Sequence, residues 1–284
     1  MENRIHYTGD VRVCDIAEAI ENAVPSELQE SWDNSGLLIG YEDMYVKRIL
    51  TCLEINHEVL REAKDENADM IVSHHPLIFG SVRSLCTGNY REKLLMDLVG
   101  SGISVYSCHT PFDKVRGGNN DIIADRLGLI SVRNLRGEDV CSASRMIENA
   151  DEADIGRTGS FRNPISFRQV LDLVSSELEL SLRQIKAVGS LDLNISKVGI
   201  CTGAGSDLME MAAASGCELF ITGDVKYHEA QTARELGICL IDAGHYGTEK
   251  FFGAAMKKKL IKLMGDKVEV IASEVNLDPF HVLL

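Results

Sequence analysis

The sequence predicts an α/β protein built from two similar βαβ-based lobes with a dimetal site between them, and three observations carry that reading. Apolar runs of strand length alternate with amphipathic stretches of helical period. Two of these strand–helix–strand stretches track each other at an offset of 149 positions. Metal-competent side chains follow the apolar runs at three distant places, where strands of a parallel sheet carry their ligands.

In chain order, an N-terminal helix is expected over Val13 to Val24, ending near Pro25, which cannot continue it. The first repeat copy has an apolar strand at Ile49–Leu53, a helix around Val59–Ala63 and a second strand at Ala68–Ser73. The second copy reads Val198–Thr202, Leu208–Ala212 and Cys217–Thr222. Strands buried on both faces of a parallel sheet are expected to be near-continuous apolar runs, as the centres of these are. A third strand follows in each half, Gly102–Ser107 leading to His109 and Gly237–Asp242 leading to His245. Chance likeness between any two βαβ units is the plainer alternative. A polar stretch, Arg136 to Asp154, separates the halves, and Gly156-Arg157-Thr158-Gly159 with a helix over Ile165 to Leu178 opens the second. The expected partition is residues 1–135, a connecting segment 136–155, and residues 156–284.

At 284 residues the chain can bury one large or two modest cores. A formal charge of −14 argues against nucleic acid, whose binding rests on clustered Lys and Arg. Lys257-Lys258-Lys259 with Lys262 lies on an expected helix as a solvated face, with an anion-binding patch as the alternative. The eight cysteines are scattered without a C-x-x-C pair, and several sit inside apolar runs, so a reducing, cytoplasmic setting is expected. Met1 to His6 has no apolar signal region, and no run approaches the ~20 residues of a membrane span.

Imidazoles and carboxylates suit borderline divalent cations, and five or six of them converging hold two ions rather than one. His74 and His75 fall after a strand, where adjacent residues of an extended chain point to opposite sides and serve neighbouring ions. Asp113 lies four residues past His109, on the loop after a strand, ahead of Gly117-Gly118. His245 and Glu249 are spaced i, i+4 and share a face if a helix starts at Gly247 or earlier. The alternatives are incidental loop histidines, a plain turn at Asp113, and a carboxylate complementing the helix dipole at Glu249. Gly203-Ala204-Gly205-Ser206 sits where phosphate binds but lacks a full nucleotide fingerprint. Asp224 and His228 lie in register with His74 and the residues after it. His228 is preferred as a proton-transfer or ligand-orienting group, with a surface histidine as the alternative. No G-x-S-x-G elbow supports a covalent nucleophile.

The chain resembles, almost end to end, the NIF-three-like family of dinuclear-metal proteins, often labelled GTP cyclohydrolase 1 type 2 homologs. The matching segments are Trp32–Gly40, Ser73–Phe79, His109–Asp113, Gly117–Leu129, Ile221–Ala230 and Ile241–Glu249. The resemblance implies the NIF-three-like fold without the insert domain of longer relatives, and assembly into a toroidal homohexamer. It implies two divalent ions per chain (Zn, Fe, Mn or Ni) on His74, His75, Asp113, His245 and Glu249, with Glu249 bridging. Pro111 stands where Asn is typical and Glu54 where Asp is usual. The activity it implies is metal-dependent hydrolysis of a small molecule, a nucleotide in the cyclohydrolase version, with His228 or His109 moving protons. A non-catalytic metal-handling or regulatory ring protein is the alternative.

Overall fold

A computed structural model describes residues 10–140 and 155–282. The chain start and most of the expected connecting segment 136–155 lie outside them. Contacts divide the chain into two compact units, Met1–Phe112 with Phe252–Leu277, and Asp113–Phe251 with Asp278–Leu284.

The first unit holds a five-stranded sheet in the order β1-β4-β3-β2-β11, from β1 (Gly36–Ile39), β2 (Arg48–Cys52), β3 (Met70–Ser73), β4 (Ser104–Ser107) and β11 (Glu269–Ala272). All but β1 run parallel. Helix α1 (Val13–Ala23) starts as expected and stops one residue before the expected end. Helix α2 (His57–Asp65) starts at Asn56, whose side chain accepts from the amides of Glu58 and Val59 at 2.9 and 2.8 Å, satisfying donors a helix start leaves open. Helix α3 (Tyr90–Ser101) ends on Gly102 at φ 71°, a left-handed cap that favours glycine. Leu50, Ile71 and Val105 on one sheet face pack with Val59, Leu60, Leu94 and Leu98 of these helices.

The second unit holds six strands in the order β5-β6-β8-β9-β10-β7. They are β5 (Ile130–Asn134), β6 (Arg157–Ser166), β7 (Lys186–Val188), β8 (Asn194–Ile200), β9 (Leu219–Thr222) and β10 (Cys239–Asp242). The central three are parallel. Their alternate residues enter two cores, Leu219 and Ile221 on one face and Phe220 and Leu240 on the other. Helices α4 (Thr110–Lys114), α5 (Asn119–Arg126), α6 (Phe167–Glu177), α7 (Met209–Ala214), α8 (Tyr227–Leu236) and α9 (His245–Glu249) complete the path. Ile165 stays in β6, so α6 begins two residues later than its periodicity suggests, at a capping box of Ser166 and Gln169.

The internal repeat extends to atomic detail. Asp69 Oδ2 accepts from the amides of Lys47 and Arg48 at 2.7 and 3.0 Å. Glu218, 149 positions later, accepts in the same way from Ser196 and Lys197. In each copy a carboxylate on the second strand's approach pins the entry to the first strand, and so fixes its register. The linear partition misses one feature. Helix α10 (Phe252–Met264) and β11 return to the first sheet, where β11 pairs in parallel with β2. Phe252, Met256 and Leu260, spaced i, i+4, i+8, are all buried on one stripe of α10, while Lys258 on its far side is exposed.

Arg157, a fully buried guanidinium, ties the second unit together. Its Nε lies 2.5 Å from Asp121 Oδ1, and its Nη2 donates to the carbonyls of Lys114 and Val115 at the end of α4. Arg157→Ala leaves the largely buried Asp121 carboxylate and two carbonyls without this partner. Destabilisation of about 3–5 kcal/mol is expected, read as a shift in the denaturant midpoint.

Candidate metal centre

In the first unit, three histidines emerge from adjacent parallel strand ends. His74 and His75 follow β3, His109 follows β4, and their candidate ligand atoms all lie within 4.8 Å of one another. His74 is wholly buried, with its ring 4.9 Å from that of Phe252. Its Nδ1 stands 2.9 Å from the carbonyl of Cys108. A carbonyl can only accept, so Nδ1 carries the proton and Nε2 keeps the lone pair a cation requires. The rings of His74 and His75 are 5.2 Å apart and tilted by 38°, not splayed to opposite faces. The strand ends at Ser73, whose hydroxyl turns to the carbonyl of His75 at 2.9 Å, so strand alternation no longer applies.

His109 is fixed from a segment to which residue-by-residue sequence reasoning gave no role. Its Nδ1 is 2.8 Å from Asp33 Oδ1. The Asp33 side chain is fully buried and also accepts from the amides of Asn34 and Thr110 at 2.7 and 3.1 Å and from the Ser35 and Thr110 hydroxyls. Burial by itself raises the Asp33 carboxyl, but the hydrogen bonds from His109 and Thr110 and the nearby imidazole outweigh it, holding the group well below the usual carboxylate range. The signal was present in Trp32-Asp33-Asn34-Ser35, yet nothing local to those residues points to a histidine 76 positions away.

In the second unit, His245 and Glu249 open and close α9, so the i, i+4 condition is met, and His245 Nε2 lies 3.1 Å from Glu249 Oε2. His245 Nδ1 lies 2.8 Å from Asp224 Oδ2. The orienting partner of His245 is therefore Asp224, in the left-handed region at φ 56°, where Asp is tolerated better than most residues. His228 lies one turn further along the chain, exposed on α8 with its ring 5.2 Å from that of Tyr227.

Asp113 sits within α4 rather than on a loop, because Thr110 to Lys114 complete a helical turn directly after β4. It is buried, and its Oδ1 accepts from Asn119 Nδ2 at 2.9 Å. Asn120 Nδ2 binds the Asp113 carbonyl at 3.1 Å, while its Oδ1 receives the Thr202 amide at 2.9 Å. Glu249 is 3% exposed, and the space beside it is kept by glycine. A Cβ on Gly203 would come within 2.4 Å of Glu249 Oε1 and 3.3 Å of His245 Nε2, and one on Gly205 would meet Cys201 Sγ at 2.2 Å. The Gly203-Ala204-Gly205 run thus answers a close approach of side chains, which explains its glycines without a phosphate. Burial, followed by the Asp113 carboxylate, pushes the Cys201 thiol far up, and burial pushes Cys217 up to about 11, so neither offers a ready thiolate.

Imidazoles with one ring nitrogen already bonded, and in the second unit a buried Glu249 carboxylate beside Gly203, are groups that fit a borderline divalent cation. Fold and residues together define an α/β protein with metal-competent His and carboxylate clusters at parallel-strand ends. The chain belongs to the DUF34/NIF3 (NGG1p interacting factor 3) family, whose model matches residues 11–279. It is 30% identical over 273 residues to a "GTP cyclohydrolase 1 type 2 homolog" of Clostridium perfringens, covering 96% of this chain and 100% of that one. It is 36% identical over 242 residues to the "GTP cyclohydrolase 1 type 2" of Helicobacter pylori, covering 84% and 88%. Among solved structures, a hypothetical protein of Staphylococcus aureus superposes with a TM-score of 0.84 at 28% identity, over 96% of this chain and 99% of that one.

Two outcomes are expected. Asp33→Asn removes the charged acceptor and costs on the order of 2 kcal/mol of stability at neutral pH. Because the folded pKa is depressed, that advantage is full above the ordinary carboxylate pKa and fades as pH falls toward the folded one. Unfolding curves of the two proteins should therefore converge in acid. Asp224→Ala frees the His245 ring, and affinity for a divalent ion should fall about 10–100-fold by calorimetric titration.

Proposed function

We propose that this protein is a metal-dependent hydrolase in which His74, His75, Asp113, His245 and Glu249 would hold two divalent cations, with Glu249 as a ligand common to both. The observation that carries this reading is the fixed ring orientation: His74 and His245 each have Nδ1 bound to a fixed oxygen acceptor, the arrangement that readies Nε2 for a metal. Each unit separately offers an incomplete ligand set, two or three imidazoles in one and two carboxylates with one imidazole in the other. The five together exceed what one catalytic ion needs. When bound, such a pair of ions supplies Lewis acidity, acidifying water and neutralising charge that develops on a substrate.

The chain's own groups do the rest. Asp33 holds His109 in the tautomer with the proton on Nδ1, so His109 Nε2 is placed to take a proton from the substrate side and then return it. Asn119 Nδ2 orients the buried Asp113 carboxylate, and the buried Glu249 carboxylate lies 3.1 Å from His245 Nε2. The names of the Clostridium and Helicobacter relatives support a nucleotide as substrate, with water adding to a purine carbon and His109 or His228 moving the protons. Assembly into a toroidal homohexamer and action in the reducing cytoplasm belong to the same reading. None of the seven described cysteines is in a disulfide, in keeping with the second.

Protein purified without chelator should carry two ions per chain by elemental analysis, and Glu249→Gln should lose both. Light scattering should give six chains per particle, and a panel of purine nucleotides and phosphoesters should show turnover that a chelator abolishes. One ion at full occupancy would sink the dinuclear assignment. Two ions without turnover across the panel would sink the hydrolase and leave the metal-handling role.

A further inference from the structure

Trp32 and Phe79 are each more than half exposed, at 56% and 57%. They nonetheless form an ordered pair, with ring centroids 6.1 Å apart and planes within 25°. His109 meets both edge-on, at 5.8 Å and 75° from Trp32 and at 6.1 Å and 77° from Phe79. Three separate segments thus build a corner with two near-parallel aromatic faces and an imidazole wall, and that imidazole belongs to the His74–His75–His109 cluster.

The corner is tied at its base. Asn34 Nδ2 donates to the carbonyl of Ile78 at 2.7 Å, joining the Trp32 turn to the Phe79 segment. Asp33 holds the His109 ring, and Ser35 Oγ receives the His109 amide at 3.1 Å. All four residues of Trp32-Asp33-Asn34-Ser35 therefore serve one local construction. A scattered exposed hydrophobe needs no explanation, but two large rings held in a stack beside metal-competent histidines do.

We propose that Trp32 and Phe79 form a stacking platform for a planar nitrogen heterocycle of nucleobase type, with His109 at the ring's edge. The proposal rests on the hydrolase reading for what the bound molecule undergoes, but not for the binding itself. A flat ring cannot slide between the two residues, since two contacts of about 3.5 Å need about 7 Å, more than the 6.1 Å present. It stacks on the outer face of the pair, extending the column by one ring. A heterocycle suits the corner better than an aliphatic group, because its face matches the aromatic surface while its edge nitrogens and carbonyls can bond to an imidazole. The net charge of −14 favours a free nucleoside or nucleotide over a nucleic-acid strand.

Trp32 is the chain's single tryptophan, so indole emission reports on this platform alone. Guanosine titrated into the full-length protein should quench the emission saturably, and inorganic triphosphate, which has no ring, should not. Phe79→Ala should weaken half-saturation about tenfold, and Phe79→Tyr, which keeps a ring, should restore it, with circular dichroism confirming both folds. Absence of saturable quenching by guanosine and adenosine in metal-loaded protein overturns the platform. Equal quenching by triphosphate does the same, as does emission that follows protein concentration instead, which assigns the rings to contact with a second copy. Quenching that persists in protein found to bind no ions would leave the platform standing and remove the hydrolase reading, so the two failures are separable.

Discussion

Parallel pairing in strict register is the constraint on which each cluster depends. Cys52, Ser73 and Ser107 are aligned across β2, β3 and β4, and Ile200, Ile221 and Ile241 across β8, β9 and β10. The ladder runs one step past the strands, where the His74 amide meets the Cys52 carbonyl at 3.1 Å and the Cys108 amide meets the Ser73 carbonyl at 2.8 Å. Residues dozens of positions apart leave their strands at one level, and their side chains meet. A one-residue slip would turn each strand's side chains to the opposite face and break the cluster.

Orientation of the imidazoles is a second layer, reached by different means. His74 uses a backbone carbonyl, which costs no side chain and cannot be removed by substitution at its own position. His109 uses Asp33, whose bonds lie in a buried network where each strengthens the rest. His245 uses Asp224, whose side chain is 53% exposed, so solvent screening weakens that pair relative to the Asp33 one. The backbone supplies part of this third arrangement. A Cβ on Gly223 would lie 2.6 Å from the Gly244 carbonyl carbon, so the turns after β9 and β10 are pressed together and carry Asp224 onto His245.

The two repeat copies share a frame and differ in what they hang on it. Asp69 and Glu218 do the same work at the strand entries, a solution tied to backbone amides that any βαβ copy presents. At the exits the equivalence is positional only. His75 corresponds to Asp224 at the 149-residue offset, so the same place offers a metal-competent imidazole in one copy and a carboxylate that orients an imidazole in the other. Placement after a parallel strand is inherited with the frame, whereas the chemistry there changes with one side chain.

The sequence by itself determined the parallel strands, the helices between them, and the strand-end positions of His74, His75, His109 and His245, because periodicity and apolar runs are local properties. The i, i+4 pairing of His245 and Glu249 was legible for the same reason. Only the tertiary structure decided that β11 returns to β2, that Asp33 holds His109, and that Trp32 stacks on Phe79. Those pairings join segments from 47 to 221 positions apart, and a long-range contact leaves no periodic trace in the chain. It also decided that His74 and His75 lie on the same side, since where a strand ends depends on its neighbours' hydrogen bonds rather than on its own residues.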